Sequence, residues 1–197
     1  SEFQKNYPVV KFKIKAQDSL MSLSSLQTNS ADFAAVGTTK GFDEKFDFIQ
    51  IGEDQLVLIT SCNHKLANQK TVKLSDVIKN RFISREETSG TRIEIEKLLE
   101  NNKIPISSLQ VTLELGSTES IVTAVSEGRG VSIISSLAAA KAQAAGLVKV
   151  VEITEAKNKR KLYMARPKKA MLKSSEAFWE FCKSYKFESK AIQCPTA

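Results

Sequence analysis

Three short turns of the sequence concentrate hydroxyl side chains and glycine, which are residue types that can bind small anions and polar ligands. The turns contain Thr88, Ser89, Gly90 and Thr91 in "SREETSGTR", Gly116, Ser117 and Thr118 in "LELGSTES", and Gly37, Thr38 and Thr39 in "AAVGTTK". The first two connect a predicted strand to a predicted helix. A helix N-terminus has unpaired N–H groups and a partial positive charge, so a hydroxyl-rich turn there can hold a carboxylate or sulfate. The sequence therefore predicts an anion or polar-ligand site at these turns.

Helix capping is the alternative explanation for each turn taken alone. Serine and threonine are good N-cap residues, and Thr91 with Glu94 three residues later fits a capping box. Capping would need no ligand at all. Two hydroxyl-rich turns on successive strand–helix units, with a third at the end of another strand, favour a shared ligand site over three unrelated caps.

Catalytic chemistry has little support in this sequence. His64 is the only histidine, so any Ser/His or Cys/His arrangement would have to use it, and Cys62 lies two residues away. Glu86 and Glu87 define no acid/base pair, and no nucleotide-loop, zinc-protease or nucleophile-elbow motif is present. We therefore predict no catalytic residue, no cofactor and no metal site, and a structural or surface role for His64.

Composition limits the class of protein. The chain has 197 residues and a net charge of +7 from 29 basic and 22 acidic residues. Its basic residues are scattered among acids and form no DNA- or RNA-binding motif, so a domain that handles an anion explains the charge equally well. No apolar run reaches the length of about 20 residues that a membrane-spanning helix needs. Three distant cysteines indicate free thiols and favour a cytoplasmic location.

The hydrophobic pattern predicts strands and helices in alternation. Strands are predicted at residues 9–14, 32–37, 46–61 with a break at 52–54, 81–84, 109–115, 131–135, 147–153 and 161–167. Helices are predicted between them, among them one with Ile95, Leu98 and Leu99 on its inner face and a last one at residues 174–185. Alternation of this kind predicts an α/β fold with an open sheet. In such a sheet ligands bind at the carboxyl ends of strands, where the first two turns lie.

Three segments in fixed order carry a resemblance to a known family. They are "LVLITSCNHKLA", "SDVIKNRFISREETSGTR" and "LELGSTESIVTAVSEGRGVSIIS". Together they resemble the effector-binding domain of LysR-type transcriptional regulators, and the similarity covers nearly the whole chain. The resemblance implies a periplasmic-binding-protein-like fold of type 2, in which two Rossmann-like α/β lobes are joined by two crossing strands.

The resemblance also implies how the chain is divided and what it binds. Residues 1–61 and 164–197 would form lobe I, and residues 62–163 would form lobe II. A small anionic or polar effector (an organic acid, an amino-acid derivative or an inorganic anion) would bind between the lobes. The positions that match effector contacts in the family are Ser89 with Thr88, Gly90 and Thr91, then Ser117 and Thr118, and Gly37 with Thr38. The domain would form a homodimer or a higher homo-oligomer.

The chain departs from the family pattern at its start. The winged helix-turn-helix that contacts DNA in the family precedes this domain, so we expect DNA binding only through a segment outside these residues. The family's domain also begins with a strand and a Ser/Thr-rich turn, whereas this chain begins with "FQKNYP" in the helix after that strand. We expect that strand to be missing from this piece of the protein.

Two other functions share parts of this pattern. A solute-binding protein of a transport system has the same fold and would require a signal peptide. An enzyme on this fold, such as a lyase or transferase of small acids, would require acid/base residues that the lone histidine does not supply. The regulatory domain is the prediction that the ordered motifs favour.

Overall fold

A computed structural model describes residues 2–39, 41–42 and 44–185. The helices are α1 (Glu2–Asn6), α2 (Ser19–Gln27), α3 (Leu74–Val77), α4 (Gly90–Asn101), α5 (Thr118–Ser126), α6 (Ser136–Ala144) and α7 (Lys173–Ser184). The strands are β1 (Ala34–Val36), β2 (Phe46–Asp54), β3 (Leu56–Thr60), β4 (Thr71–Val72), β5 (Arg81–Arg85), β6 (Gln110–Leu115), β7 (Ser132–Ser135), β8 (Lys149–Ile153) and β9 (Arg160–Pro167). The predicted α/β class is confirmed.

The chain divides into two compact units. One unit contains the described residues up to Glu53 and those from Lys161 onward, and the other contains Asp54–Arg160. The chain therefore passes from one unit to the other at residues 53–54 and again at residues 160–161. The lobe limits expected at residues 61 and 163 remain a proposal.

The unit formed by Asp54–Arg160 is built on a mixed sheet. Four strands lie in the order β4-β8-β3-β7, with β3 antiparallel to both β7 and β8. Strands β5 and β6 form a parallel pair, and a bridge between Phe82 and Val131 joins β5 to the segment just before β7. Backbone bonds across this bridge run from the Ile83 N–H to the Val131 carbonyl and from the Val131 N–H to the Arg81 carbonyl, each 2.9 Å long.

Apolar side chains cover both faces of this sheet. Side chains of successive strand residues point to opposite faces, so Leu56 and Leu58 of β3 pack in one cluster with Ile95 and Leu99 of α4. The alternate residues of β3 pack in a second cluster with the buried side of α5 and α6. Helix α4 thus covers one face of the sheet, and helices α5 and α6 cover the other.

The second unit has a smaller sheet and an aromatic core. Its three strands lie in the order β1-β9-β2, and β1 runs antiparallel to β9. Leu23 and Leu26 of α2 are buried against this sheet. Around α7, Phe3 stacks on Tyr7 with ring centroids 4.4 Å apart and meets Phe178 edge-to-face. The predicted helix at 174–185 is confirmed as α7.

Three details of the predicted elements are wrong. Residues 9–14 form no strand, and Val9 and Ile14 are each 87% exposed. Alternating hydrophobicity makes a strand only where a neighbouring strand pairs with it, and none of the described strands does. The expected break at 52–54 lies instead at Gln55, between β2 and β3, and the short strand β4 was not predicted.

Candidate functional site

The first hydroxyl-rich turn joins β5 to α4. Ser89 is the N-cap of α4 by its extended backbone, and its carbonyl accepts the Ile93 N–H at 3.0 Å. The Ser89 side chain makes no capping hydrogen bond, although the residue is only 2% exposed. Gly90 is buried beside it, and Thr88 is exposed. Capping by its hydroxyl therefore does not explain the serine at position 89.

The expected capping box of Thr91 and Glu94 is wrong. Helix α4 begins at Gly90, so Thr91 already lies inside the helix and is not its N-cap. The Glu94 carboxylate instead accepts from the Lys97 ammonium at 2.6 Å. The Thr91 hydroxyl accepts a weak bond of 3.5 Å from Nη2 of Arg160.

The second turn joins β6 to α5, and the hydroxyls of Ser117 and Thr118 have different hydrogen-bond partners. Ser117 is the N-cap of α5, since its hydroxyl accepts the Ser120 N–H at 3.1 Å. The capping interpretation therefore accounts for Ser117. Thr118 is the first helical residue, and its hydroxyl accepts a hydrogen bond of 3.0 Å from Nη1 of Arg85.

Arg85 connects the two turns. Strands β5 and β6 are parallel neighbours with Arg85 in register with Leu115, so their carboxyl ends meet at one edge of the sheet. The Arg85 guanidinium holds Thr118 across this edge and forms a two-point pair with Glu86, with bonds of 2.8 and 2.6 Å. The hydrogen bonds from Arg85 lower the pKa of Glu86, although burial opposes this, so the Glu86 carboxylate stays charged.

A second guanidinium lies beside α4. Arg160 donates from Nε and Nη2 to Asp54 at 2.9 and 2.7 Å, and the Asp54 side chain is fully buried. Asp54 also accepts from the Ser136 hydroxyl at 2.8 Å, at the first residue of α6. Burial alone would raise the pKa of Asp54, but the charge and hydrogen bonds of Arg160, with the serine hydroxyls, lower it. Within the described part of the chain, the buried Nη1 of Arg160 has no hydrogen-bond acceptor.

The structure places the predicted site residues in two groups. Thr88, Ser89, Gly90 and Thr91 lie at the same sheet edge as Ser117 and Thr118, in the unit of Asp54–Arg160. Gly37 and Thr38 belong to the other unit, after β1, where the Gly37 N–H donates to the Ser19 hydroxyl at 3.2 Å and Thr38 is buried. The role of all these residues in effector binding remains a proposal.

Sequence reasoning missed the two arginines. Arg85 could have been found, because a cation that ends a strand just before a hydroxyl-rich turn lies at the sheet edge. Arg160 and Asp54 are 106 positions apart and form their pair only in the folded chain. No local pattern indicates such a contact.

His64 and the metal-ligating side chains of the described residues form no catalytic or metal site. His64 accepts the Leu66 N–H at 3.2 Å in a turn, and partial burial, aided by the charge of Lys65, lowers its pKa. Among the described residues, no three His, Cys, Asp or Glu side chains are grouped as a metal ion would require. In the same part of the chain, no helix has both the length and the apolar character needed to cross a membrane.

A family model for the LysR substrate binding domain matches residues 1–186. The chain belongs to this family. A LysR substrate binding domain is a ligand-sensing regulatory domain, so the predicted class of function and the predicted fold family are both confirmed.

Relatives of this LysR substrate binding domain are named as regulators. An HTH-type transcriptional regulator of Methanocaldococcus jannaschii is 40% identical over 181 residues, which are 91% of this chain and 60% of the relative. A probable RuBisCO transcriptional regulator of Trichormus variabilis is 28% identical over 179 residues, 89% of this chain and 53% of the relative. The chain thus spans little more than half the length of these relatives.

Solved structures show the same fold. The effector binding domain of QuiR in complex with shikimate superposes with a TM-score of 0.85 at 24% identity, covering 94% of this chain and 87% of that one. The CcmR regulatory domain of Synechocystis PCC6803 in complex with 2-PG gives a TM-score of 0.81 at 24% identity and covers 94% and 88%. Both of those proteins were solved with a small molecule bound.

Proposed function

We propose that this domain senses a small anionic or polar effector at the edge formed by the carboxyl ends of β5 and β6. The observation that supports the proposal is the hydrogen bond from Arg85 to Thr118, which joins the N-terminal turns of α4 and α5. The turns that begin these two helices, with several hydroxyls, then lie at one edge of the sheet, and the partial positive charge of a helix N-terminus favours an anion. An organic acid, an amino-acid derivative or an inorganic anion fits this chemistry.

The whole protein is proposed to be a DNA-binding transcriptional regulator. The names of the relatives favour this role over that of a solute-binding protein in transport. DNA would be contacted by a segment outside these residues, and the regulator would act in the cytoplasm as a homodimer or a higher homo-oligomer. We propose that the domain itself catalyses no reaction, since the proposed site offers hydroxyls and ion pairs in place of an acid/base pair.

Effector binding is tested by thermal unfolding of the domain with a panel of organic acids, amino-acid derivatives, sugars and inorganic anions. A ligand that binds only the folded state at about 100 times its Kd stabilises it by about 2.7 kcal/mol, which raises Tm measurably. Replacing Ser89 or Thr118 by alanine should remove about half of that stabilisation or more, the result expected if the variant binds about tenfold more weakly or worse at the same ligand concentration. Ser126→Ala is the matched control, because the hydroxyl of this half-buried serine donates to the Thr123 carbonyl within α5. A rise in Tm that both site variants retain in full would place the ligand elsewhere.

A further inference from the structure

We infer that Arg85 is a positioning residue, which turns the Thr118 hydroxyl into a hydrogen-bond donor and thereby selects effectors that carry an oxyanion group. Arg160 acts on Thr91 in the same manner but more weakly. This inference rests on the proposed function and names the chemical class of its ligand. A carboxylate, a phosphate and a sulfate share the recognised group.

The direction of the bond between Arg85 and Thr118 is fixed by chemistry. A guanidinium carries only donors, so Nη1 of Arg85 donates and the Thr118 oxygen accepts at 3.0 Å. A hydroxyl has one proton, and among the described residues no acceptor takes the proton of Thr118. Since the residue is half-buried at the start of α5, this proton remains available to a ligand. The Thr118 hydroxyl accepts a hydrogen bond from a charged group, which polarises the hydroxyl. The hydrogen bond that this hydroxyl donates to a ligand is therefore stronger.

Thr91 repeats the arrangement at the start of α4. Nη2 of Arg160 donates to its hydroxyl oxygen at 3.5 Å, near the upper limit for a hydrogen bond. The proton of the Thr91 hydroxyl likewise has no acceptor in the described part of the chain. The longer distance predicts a weaker effect of Arg160 on Thr91 than of Arg85 on Thr118.

Each arginine is already neutralised by a carboxylate. Glu86 pairs with Arg85 at 2.6 Å, and Asp54 pairs with Arg160 at 2.7 Å. The ligand therefore meets two oriented hydroxyl protons and two helix N-termini, and it does not meet an uncompensated side-chain cation. Such a surface favours groups that accept several hydrogen bonds and rejects ammonium groups, which only donate. An oxyanion satisfies these donors better than a neutral ester or alcohol of the same shape.

The test combines matched ligands with a double-mutant cycle. Isothermal titration compares shikimate with its methyl ester, and phosphoglycolate with glycolate, together with inorganic phosphate and sulfate. These comparisons show whether the site binds a carboxylate, a phosphate or a sulfate most tightly. For the anion that binds most tightly, Thr118→Val and Arg85→Gln should each weaken binding by roughly tenfold or more, as expected for a lost charge-assisted hydrogen bond. The double variant should be little weaker than Thr118→Val alone, because Arg85 acts through Thr118.

Three further variants separate positioning from a general effect of charge or fold. Thr118→Ser keeps the hydroxyl and should retain most of the affinity. Arg81→Gln removes an exposed arginine from the same strand and should change nothing. Thr91→Val should weaken binding less than Thr118→Val does. Circular dichroism confirms that each variant is folded before titration.

The possible outcomes separate this inference from the proposed function. If Thr118→Val weakens anion binding while Arg85→Gln does not, or if the two losses add fully, Arg85 does not position Thr118 and only the proposed function stands. Binding of the methyl ester as tightly as shikimate would overturn the oxyanion preference. If the parent chain, Thr118→Val and Arg85→Gln all bind a ligand with the same affinity, the ligand does not bind at the edge of β5 and β6. If no ligand in the panel binds, both this inference and the proposed function are overturned.

Discussion

Asp54 is a fully buried carboxylate whose charge is held by Arg160 and by the Ser136 hydroxyl. Removing one partner of a buried ion pair leaves the other without compensation. Asp54→Asn should therefore lower the free energy of unfolding by about 3 kcal/mol, measured by urea denaturation. Asp47→Asn is the control, because Asp47 pairs with Arg166 while 40% exposed, and such a pair contributes about 1 kcal/mol or less. Equal losses in the two variants would contradict this assignment.

Because of Asp54, the free energy of unfolding depends on pH. The pKa of Asp54 is lower in the folded chain than its ordinary value near 3.8. The unfolded chain therefore binds a proton at a higher pH than the folded chain, and the stabilisation by Asp54 is present above about pH 4. It is lost as the pH falls through the folded pKa. The difference in stability between the parent chain and Asp54→Asn should shrink in that acid range.

At this scale the sequence predicts residue types but not their partners. The sequence points to Ser89, Ser117 and Thr118 because a hydroxyl at the start of a helix suits both a cap and a ligand contact. Only the fold separates these roles, since Ser117 caps α5 while the hydroxyl of Ser89 makes no cap. The arginine that holds Thr118 comes from a different strand, 33 positions away. Such pairing depends on the register of β5 against β6 and cannot be read from either segment.

Two glycines after α5 show how an element is ended and then packed. Gly128 has a φ of +76°, as expected for the glycine that ends a helix. Gly130 is needed for a different reason, which is close packing. A Cβ atom there would lie 2.6 Å from the Arg81 carbonyl oxygen, too close for an unstrained contact. The backbone on both sides of that contact forms the bridge between β5 and the segment before β7.

Gly130→Ala should therefore shift β5 away from this bridge and lower the stability by roughly 1–3 kcal/mol, the usual range for overpacking. The shift would also move Arg85 at the other end of β5, so affinity for any effector should fall with it. Gly52→Ala is the matched control in β2, where a Cβ atom meets nothing within 4 Å. Denaturation and ligand titration of both variants check this prediction, and an alanine at position 130 that leaves both quantities unchanged would contradict it.

The elements themselves were largely predictable because their hydrophobic periods are strong. Buried strands such as β3 and amphipathic helices such as α4 and α5 follow directly from spacing. The failure at residues 9–14 has a physical cause, because a strand needs a partner as well as a pattern. The two-residue strand β4 is too short for any period to show, and its pairing with β8 alone defines it.

On the scale of the whole molecule, the order of motifs predicted the family and the fold, and the match over residues 1–186 agrees. Each of the three segments alone is a common strand–turn–helix pattern and identifies no family. The three segments in this order are specific, and they therefore indicate the family. Effector identity could not be predicted this way. Hydroxyls and helix N-termini can bind several kinds of anion, so these groups do not distinguish one effector from another.

For the full-length protein, we expect the effector to change the affinity for DNA by a coupling of about 1–3 kcal/mol, or roughly 5- to 150-fold. The measurement begins with selection of a DNA site from a random library. The Kd for that site is then measured with and without the effector found in the thermal panel. Thr118→Val should bind the DNA normally without effector but lose most of the response at a fixed, just-saturating effector concentration. Ser126→Ala should respond fully.

Thermodynamic linkage makes the same prediction checkable from the opposite side. If the effector changes DNA affinity by a given factor, saturating DNA must change effector affinity by that factor, because both routes connect the same four states. Titrating effector into the protein–DNA complex measures this second factor directly. Unequal factors would show that the ligand acts through a process other than binding to this domain, such as a change of assembly. Equal factors that vanish together in Thr118→Val would assign the coupling to the edge where Arg85 meets α5.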